Sequence, residues 1–249
     1  IVEAYDVFEE NTPVAPQPIV KIAELEGQAY PYVIDVAEAA KVFAETDITI
    51  ALDVTMPASL ANNTRYALVC GADPTQNVTG ATKTNSPYVA YGLNGSNPAY
   101  LPSSAAGDKF SYRNFAFTGN TNYKVVYVID RTNTKFSIYV NGALKDEATY
   151  PVQGYELQSF SNFASNTNAK LYIGGGIVNN TTAHDKFGGA IHSVQFFDKA
   201  LSAKEVAAIA YGEEQEEEED DIIDTDQLEN TPISSIDGFE NGGVYTFVT

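Results

Sequence analysis

The stretch YKVVYVIDRTNTKFSIYVNGAL, residues 123–144, is the part of this chain that decides its fold class. It holds two runs rich in β-branched and aromatic residues, 123–130 and 135–140, which is typical of strands. The dipeptide Asn141-Gly142 separates the second run from another strand-like run, so we predict a type I′ hairpin there. The stretch therefore predicts antiparallel strands joined by tight turns.

The same pattern extends in both directions along the chain. Asp47 to Met56 alternates apolar and polar residues over ten positions, so one face of this strand is expected in the core. Turns rich in Asn, Gly, Ser and Thr separate the other strand-like runs. These runs are Arg65 to Cys70, Tyr88 to Leu93, Lys109 to Phe117, Leu144 to Tyr150, Lys170 to Ile173 and Gly189 to Phe197.

Two short helices are expected at the two ends of this strand-rich region. Val33 to Ala44 is rich in alanine and has acidic residues near its start, which favours a helix. Ser202 to Tyr211 begins with a capping box formed by Ser202 and Glu205. Many short strands with so little helix predict an all-β protein, an antiparallel β-sandwich or jelly roll with short helices at both ends.

Composition suggests four segments along the chain. Residues 1–29 include a proline-rich stretch and are expected to form an extended N-terminal segment. Residues 30–211 form the folded domain. Residues 212–226 contain eight acidic residues in nine positions, which favours a solvated linker. Residues 227–249 are interpreted as the start of a truncated following domain.

The charge of the chain excludes some partners. The net charge is −19, with 14 basic and 33 acidic residues, so we expect no nucleic-acid partner. No apolar run approaches the roughly 20 residues of a membrane span, so we expect no direct membrane insertion. Residues 213–249 hold 13 of the acidic residues and no basic residue. The folded domain is therefore only mildly acidic.

Two segments resemble a known family. They are residues 123–144, with the sequence Tyr-Val-Asn-Gly near the end, and residues 170–208, KLYIGGGIVNNTTAHDKFGGAIHSVQFFDKALSAKEVAA. Together they resemble the closing half of a laminin-G-like jelly roll of the concanavalin A type. With the helix before Asp47, the resemblance extends over about residues 30–211. It is then closest to the lectin-like domains attached to bacterial sialidases, carbohydrate-binding module family 40.

The resemblance implies a non-catalytic carbohydrate-binding module of a larger protein, secreted by a bacterium or held at its surface. Its partners would be a glycan and further domains of the same polypeptide. The family grips the carboxylate of sialic acid with arginines, and the matching segments here, Leu101 to Ala106 and Gly176 to Val178, contain none. Sialic acid and a neutral glycan both stay open as ligands.

Candidate sugar-binding residues follow from the chemistry of sugars. Flat aromatic faces pack against sugar C–H groups, and amide, carboxylate and guanidinium groups bind the hydroxyls. The chain has no tryptophan, so tyrosine must supply the aromatic faces. The residues predicted to bind carbohydrate are Arg65, Tyr88, Tyr91, Tyr100, Tyr112, Arg113, Asn179 and His184.

Catalysis and metal binding have weaker support in the sequence. No strand carries two carboxylates at the spacing of glucanases, so we expect no enzyme activity. The alternative to a carbohydrate-binding module is a structural or adhesive spacer domain, and a glycoside hydrolase is the third hypothesis. A structural Ca²⁺ is possible, with Asp73, Asp130 and Asp185 as candidate ligands. The single cysteine, Cys70, lies in an apolar run and is expected to be buried.

Overall fold

The computed structural model describes residues 15–76, 86–102, 109–180 and 182–211. The predicted linker 212–226 and the predicted domain start 227–249 lie outside these residues. The described part contains two six-stranded sheets, and every pairing between neighbouring strands is antiparallel. The prediction of an all-β antiparallel sandwich with short helices at both ends is confirmed.

The order of strands in each sheet is given by their hydrogen-bonded neighbours. Sheet 1 contains, from edge to edge, β1 (Val20–Ile22), β14 (Ala190–Phe197), β3 (Ile48–Thr55), β8 (Asn122–Asp130), β9 (Lys135–Val140) and β10 (Ala143–Thr149). Sheet 2 contains β2 (Tyr32–Val33), β11 (Lys170–Ile173), β4 (Arg65–Ala72), β5 (Tyr88–Asn94), β6 (Asn97–Leu101) and β7 (Phe110–Ser111). A separate hairpin pairs β12 (Gly176–Val178) with β13 (Thr182–His184).

The main core lies between the two sheets. The alternation predicted for β3 is confirmed, because its apolar face is fully buried while Asp53 and Thr55 on the other face are partly exposed. Each fully buried aliphatic side chain of this kind stabilises the fold by about 1.5–3 kcal/mol. The buried residues of this face are Ile48, Ile50, Leu52, Val54 and Met56.

Local signals fix the ends of several elements. Asn141 and Gly142 both have positive φ, 48° and 72°, as the predicted type I′ hairpin requires. Helix α1 (Val36–Ala44) begins three residues later than predicted, because the Asp35 side chain accepts a hydrogen bond from the Ala37 amide and acts as the N-cap.

The second helix, α2 (Ala203–Tyr211), has the predicted capping box. Glu205 Oε2 accepts hydrogen bonds of 2.8 Å from both the amide and the hydroxyl of Ser202. The ammonium group of Lys199 donates to Glu205 Oε1 at 2.6 Å. These interactions, with the Lys199 contact the largest, lower the pKa of Glu205 to about 2.

Some strands differ from the prediction. Of the strand predicted at Lys109 to Phe117, only Phe110–Ser111 forms a regular strand, which pairs with β6. A turn at residues 113–114 follows it, and the amides of Tyr112 and Phe117 still donate to the carbonyls of Pro98 and Ser96. The predicted N-terminal segment 1–29 contributes Val20–Ile22, which pairs with β14 at the edge of sheet 1. Strands of two or three residues such as these are too short to show a period in the sequence.

Candidate functional site

Three polar segments meet at one end of sheet 2 and enclose a space that we call the asparagine hollow. Two are turns, before β4 and between β5 and β6, and the third runs from the last residue of β7 into the loop that follows. The hollow has a volume of about 420 Å³, which lies in the range of small-molecule sites. Its lining residues are Asn62, Asn63, Asn94, Gly95, Ser96, Asn97, Ser111 and Arg113.

Antiparallel pairing places the two asparagine-bearing turns side by side. Arg65, the first residue of β4, pairs with Asn94, the last residue of β5. The turn before β4 and the turn after β5 therefore lie at the same end of sheet 2. The amide of Gly95 donates to the carbonyl of Thr64 over 2.7 Å, which joins the turns directly. Gly95 has φ 61°, a left-handed conformation that costs glycine little. The polar side chains of both turns therefore share one space.

The amides in the hollow are only partly used by the protein. Asn94 Nδ2 donates to Ser111 Oγ at 2.6 Å, and Asn97 Nδ2 donates to the Phe115 carbonyl at 2.9 Å. The Oδ1 atom of Asn94 is buried and has no hydrogen-bond partner among the described residues. A buried acceptor without a donor costs about 1–3 kcal/mol. A ligand hydroxyl that donated to this atom would remove that cost.

Among the described residues, the lining of the hollow holds one cation, Arg113, and no anion. Arg113 is exposed and forms no ion pair with the described residues. Lys109 lies close by, since its Nζ donates to the Asn63 carbonyl at 3.4 Å. None of the lining residues is a carboxylate. The site can therefore donate and accept hydrogen bonds to hydroxyls and can attract a negative charge.

A second polar cluster contains the other arginine that the sequence analysis singled out. Arg65 Nη2 lies 2.8 Å from Asp185 Oδ2, and its Nε donates to the same oxygen at 3.1 Å. The hydroxyl of Tyr88 also donates to this oxygen, at 2.7 Å. The side chains of Arg65 and Asp185 are each only 5% exposed. The cluster is therefore a buried ion pair supported by a hydroxyl.

The ionisation of Asp185 reflects this pairing. Burial alone would raise its pKa, but the neighbouring His184, the positive charge of Arg65 and the Tyr88 hydroxyl outweigh burial and hold the pKa below its ordinary value. His184 Nδ1 lies 3.0 Å from Asp185 Oδ1, yet the contact lacks hydrogen-bond geometry. Asp185 is ionised at neutral pH and neutralises Arg65.

The prediction that Arg65 and Tyr88 contact carbohydrate is wrong, because neither side chain is accessible to a ligand. Both side chains are buried, and the Arg65 guanidinium lies 5.9 Å from the centre of the Tyr88 ring. Their polar atoms are engaged with Asp185. A ligand would have to break a buried ion pair to reach them, which costs several kcal/mol.

The prediction for Tyr91, Tyr100 and Tyr112 is also wrong, because all three rings belong to the core between the sheets. Tyr91 stacks on Tyr100 with a centroid distance of 5.6 Å, and its hydroxyl donates to the Gln158 carbonyl at 2.6 Å. The hydroxyls of Tyr112 and Tyr150 are hydrogen bonded at 2.7 Å. Buried rings with satisfied hydroxyls offer no face to a sugar.

The three remaining predicted residues lie in two places. Arg113 lines the asparagine hollow. Asn179 is exposed after β12, and its amide donates to the Gln76 carbonyl. His184 ends β13 with 31% of its side chain exposed, and its ring meets the Tyr88 ring edge-on at 5.7 Å. Asn179 and His184 do not line the hollow, so the structure does not gather the predicted residues into one site.

Several residues of the hollow were missed as site residues. Asn62, Asn63, Ser96, Asn97 and Ser111 were interpreted as parts of turns or strands. The sequence does contain a signal for this site. One Asn-containing turn precedes β4 and another follows β5, and a fold rich in hairpins pairs such strands antiparallel. Turns at the start of one such strand and the end of the next must lie together.

The candidate calcium ligands are all occupied by hydrogen-bond donors. Asp73 Oδ1 accepts from Thr75 and Oδ2 from Asn166. Asp130 accepts from Asn133, and Asp185 pairs with Arg65. Within the described residues no three acidic, histidine or cysteine side chains cluster as metal ligands do. Calcium binding stays a prediction.

One group of side chains has the hydroxyl–imidazole–carboxylate order of a hydrolytic site. His192 Nε2 lies 2.8 Å from Thr55 Oγ1, and Nδ1 lies 2.5 Å from Glu26 Oε1. These contacts tie the segment after β1 to sheet 1. Glycoside hydrolysis by contrast needs two carboxylates facing one sugar. The lining of the hollow supplies none.

Comparison with known families agrees with this architecture. The sequence model of the concanavalin A-like lectin/glucanase superfamily matches residues 33–207. The chain belongs to this superfamily. No curated protein sequence matches the chain. Its described helices are too short and too polar to cross a membrane.

Solved structures give the same fold for this superfamily member. The carbohydrate-binding module 40 of the Ruminococcus gnavus IT-sialidase, bound to α2,3-sialyllactose, matches with a TM-score of 0.59 and 17% identity, covering 78% of this chain and 99% of that one. The Streptococcus pneumoniae NanB sialidase matches with a TM-score of 0.56 and 17% identity, over 77% of this chain and 28% of that one. The leech intramolecular trans-sialidase matches with a TM-score of 0.53 and 20% identity, over 76% and 27%.

Proposed function

We propose that this domain is a non-catalytic carbohydrate-binding module and that it binds its glycan in the asparagine hollow. The observation that carries the proposal is the set of unused polar groups around one space. Asn62 and Arg113 make no side-chain hydrogen bond with described residues, and Asn94 Oδ1 is buried without a donor. Amide and guanidinium groups can form hydrogen bonds with sugar hydroxyls.

The fold supports the same function. The similar Ruminococcus gnavus modules are described with α2,3- and α2,6-sialyllactose bound. In this chain the segments that would carry the family's arginines have none, so its sugar contacts must come from other residues. The hollow offers such residues at the end of sheet 2.

A module of this kind acts by weak, reversible docking. Binding to a glycan raises the local concentration of any domain attached to the same polypeptide. We propose that the domain belongs to a larger protein that is secreted or held at a bacterial surface. Its partners would be a polysaccharide or host glycoconjugate and the attached domains.

A structural or adhesive spacer is the second candidate, and burial of the tyrosines favours it. Tyr91, Tyr100 and Tyr112 are all core residues, and the described residues that line the hollow include no aromatic ring. Many sugar sites depend on such a platform. In this function the sandwich would contact protein and no sugar.

A glycan array with the full chain separates the two functions. The module is expected to retain at least one sialylated, galactosylated, β-glucan or acidic glycan, and calorimetry with that glycan gives its affinity. Asn62→Ala and Asn94→Ala should each weaken binding about two- to tenfold, since each removes one or two hydrogen bonds. Asn63 is a poor site for such a test, because its φ of 58° would be strained by alanine.

The matched control is Asn168→Ala, an exposed asparagine outside the hollow. It should leave affinity unchanged. If no glycan is retained on the array, the spacer function is supported. If a glycan binds equally well to all three variants, the site assignment is wrong.

A further inference from the structure

The charge and polarity of the asparagine hollow indicate which class of sugar it takes, an inference that rests on the proposed function. Arg113 is exposed and has no acidic partner within 4 Å among the described residues. Lys109 adds a second positive charge beside Asn63. The hollow is therefore cationic within a chain whose net charge is −19.

Among the described residues, the carboxylate of Asp146 contacts the segment that follows Arg113. Asp146 Oδ2 accepts a 3.4 Å hydrogen bond from the backbone amide of Asn114, the residue after Arg113. It does not line the hollow and makes no ion pair with Arg113. The other nearby cation, Lys145, lies over the Phe115 ring, 5.7 Å from its centre. Asp146 therefore reduces the positive potential beside the hollow but does not occupy the guanidinium.

The part of the lining that the structure describes also contains no apolar side chain. Its members are four asparagines, two serines, one glycine and one arginine. A neutral pyranose is commonly held by an aromatic ring against its C–H face, and an N-acetyl methyl group needs an apolar contact. Neither partner is present in the lining. Affinity in this site must come from hydrogen bonds and charge.

We infer that the hollow binds a hexuronic acid residue of a polyuronate glycan. Such a residue carries hydroxyls and one carboxylate, and it has no N-acetyl group. Its carboxylate would form a paired, charge-assisted contact with the planar guanidinium of Arg113. Its hydroxyls would bind the amides, with one donating to the buried Asn94 Oδ1. A volume of about 420 Å³ accommodates a ligand of this size.

Calorimetry with matched acidic and esterified sugars tests this inference on the full chain. The probes are trimers of galacturonate, glucuronate and mannuronate, each compared with its methyl ester, which removes the charge and keeps the hydroxyls. At least one free acid should bind about tenfold more tightly than its ester at low ionic strength. Raising the salt concentration should narrow this difference, because the site is exposed to solvent.

Variants assign the effect to Arg113. Arg113→Gln should abolish the difference between acid and ester, and Arg113→Lys should keep part of it, because lysine retains the charge without the planar pair of donors. Lys204→Gln on α2 is the charge-matched control and should preserve the full difference. Thermal unfolding of each variant shows whether the fold is retained.

Other outcomes separate this inference from the proposed function. Tighter binding of 3′-sialyllactose, or of neutral hexose trimers, than of every uronate would overturn the uronate assignment. If that binding is weakened by Asn62→Ala, the carbohydrate-binding function in the hollow still holds. If uronates bind and Arg113→Gln does not change their affinity, the role of Arg113 is wrong.

Discussion

Two arginines that look alike in the sequence occupy opposite environments in the structure. Arg65 precedes a tyrosine and Arg113 follows one, each in a strand-like run. Arg65 is buried and paired with Asp185, whereas Arg113 is exposed and lines a hollow whose described lining residues include no carboxylate. The comparison shows that a guanidinium is free for a ligand only where the fold has brought no carboxylate to it.

The largest effect is expected at the buried pair. Asp185→Asn keeps the shape of the side chain but leaves the Arg65 charge uncompensated, so the free energy of unfolding should fall by about 3–5 kcal/mol. Chemical denaturation measures this change. The control is Asp198→Asn, an exposed residue, which should change stability by less than about 0.5 kcal/mol. If Asp185→Asn and Asp198→Asn lowered the free energy of unfolding equally, the buried ion pair would not be a special contributor to stability.

The next effect concerns the hydroxyl that supports the pair. Tyr88→Phe removes the 2.7 Å hydrogen bond to Asp185 Oδ2 and leaves the ring in place. We expect the free energy of unfolding to fall by about 1.5–3 kcal/mol, the range for a hydrogen bond to a charged group. Denaturation midpoints at unchanged m-value would measure it. An unchanged midpoint would mean that the arginine alone satisfies the carboxylate.

Acid should weaken the buried pair. The pKa of Asp185 is lower in the folded state than its ordinary value of 3.8. The contribution of ionised Asp185 to the free energy of unfolding is therefore fully present above about pH 4, and it is lost as the pH falls through the folded-state pKa. Thermal unfolding from pH 7 to pH 2 should show a smaller decline for Asp185→Asn than for the unaltered chain. Parallel curves would show that other carboxylates account for the whole decline.

The smallest effect on stability is expected at the exposed arginine. Arg113→Gln should change the free energy of unfolding by less than about 0.5 kcal/mol, because the side chain is exposed and forms no ion pair with the described residues. The same denaturation assay checks it. A loss above 1 kcal/mol would show that Arg113 holds the β7 segment in place and that its exposure is not a sign of a binding role.

The fold was largely predictable because its signals are local. The alternation of β3, the Asn141-Gly142 turn and the Ser202–Glu205 capping box each depend on residues close together in the chain. The short strands β1 and β2 escaped prediction because they exist only through pairing with distant partners.

The candidate site was less predictable, and β5 shows why. Val89 and Tyr91 face the core between the sheets, while Tyr88 and Ala90 belong to a second buried cluster that also contains Val178 of β12. Both faces of this strand are therefore apolar and buried. Alternation then gives no indication of which tyrosines are exposed, and aromatic residues expected at a sugar site belong to the interior.

The sequence by itself determined the longer strands, the tight hairpin, the two helices and the superfamily, because each depends on short-range patterns of residues. Only the tertiary structure decided the roles of the two arginines. Asp185 lies 120 positions from Arg65 in the chain and reaches it through the hairpin of β12 and β13. Electrostatic pairing depends on distance in space and on burial. The folded path of the chain therefore decides which arginine has a carboxylate partner, and the sequence neighbours of each arginine do not.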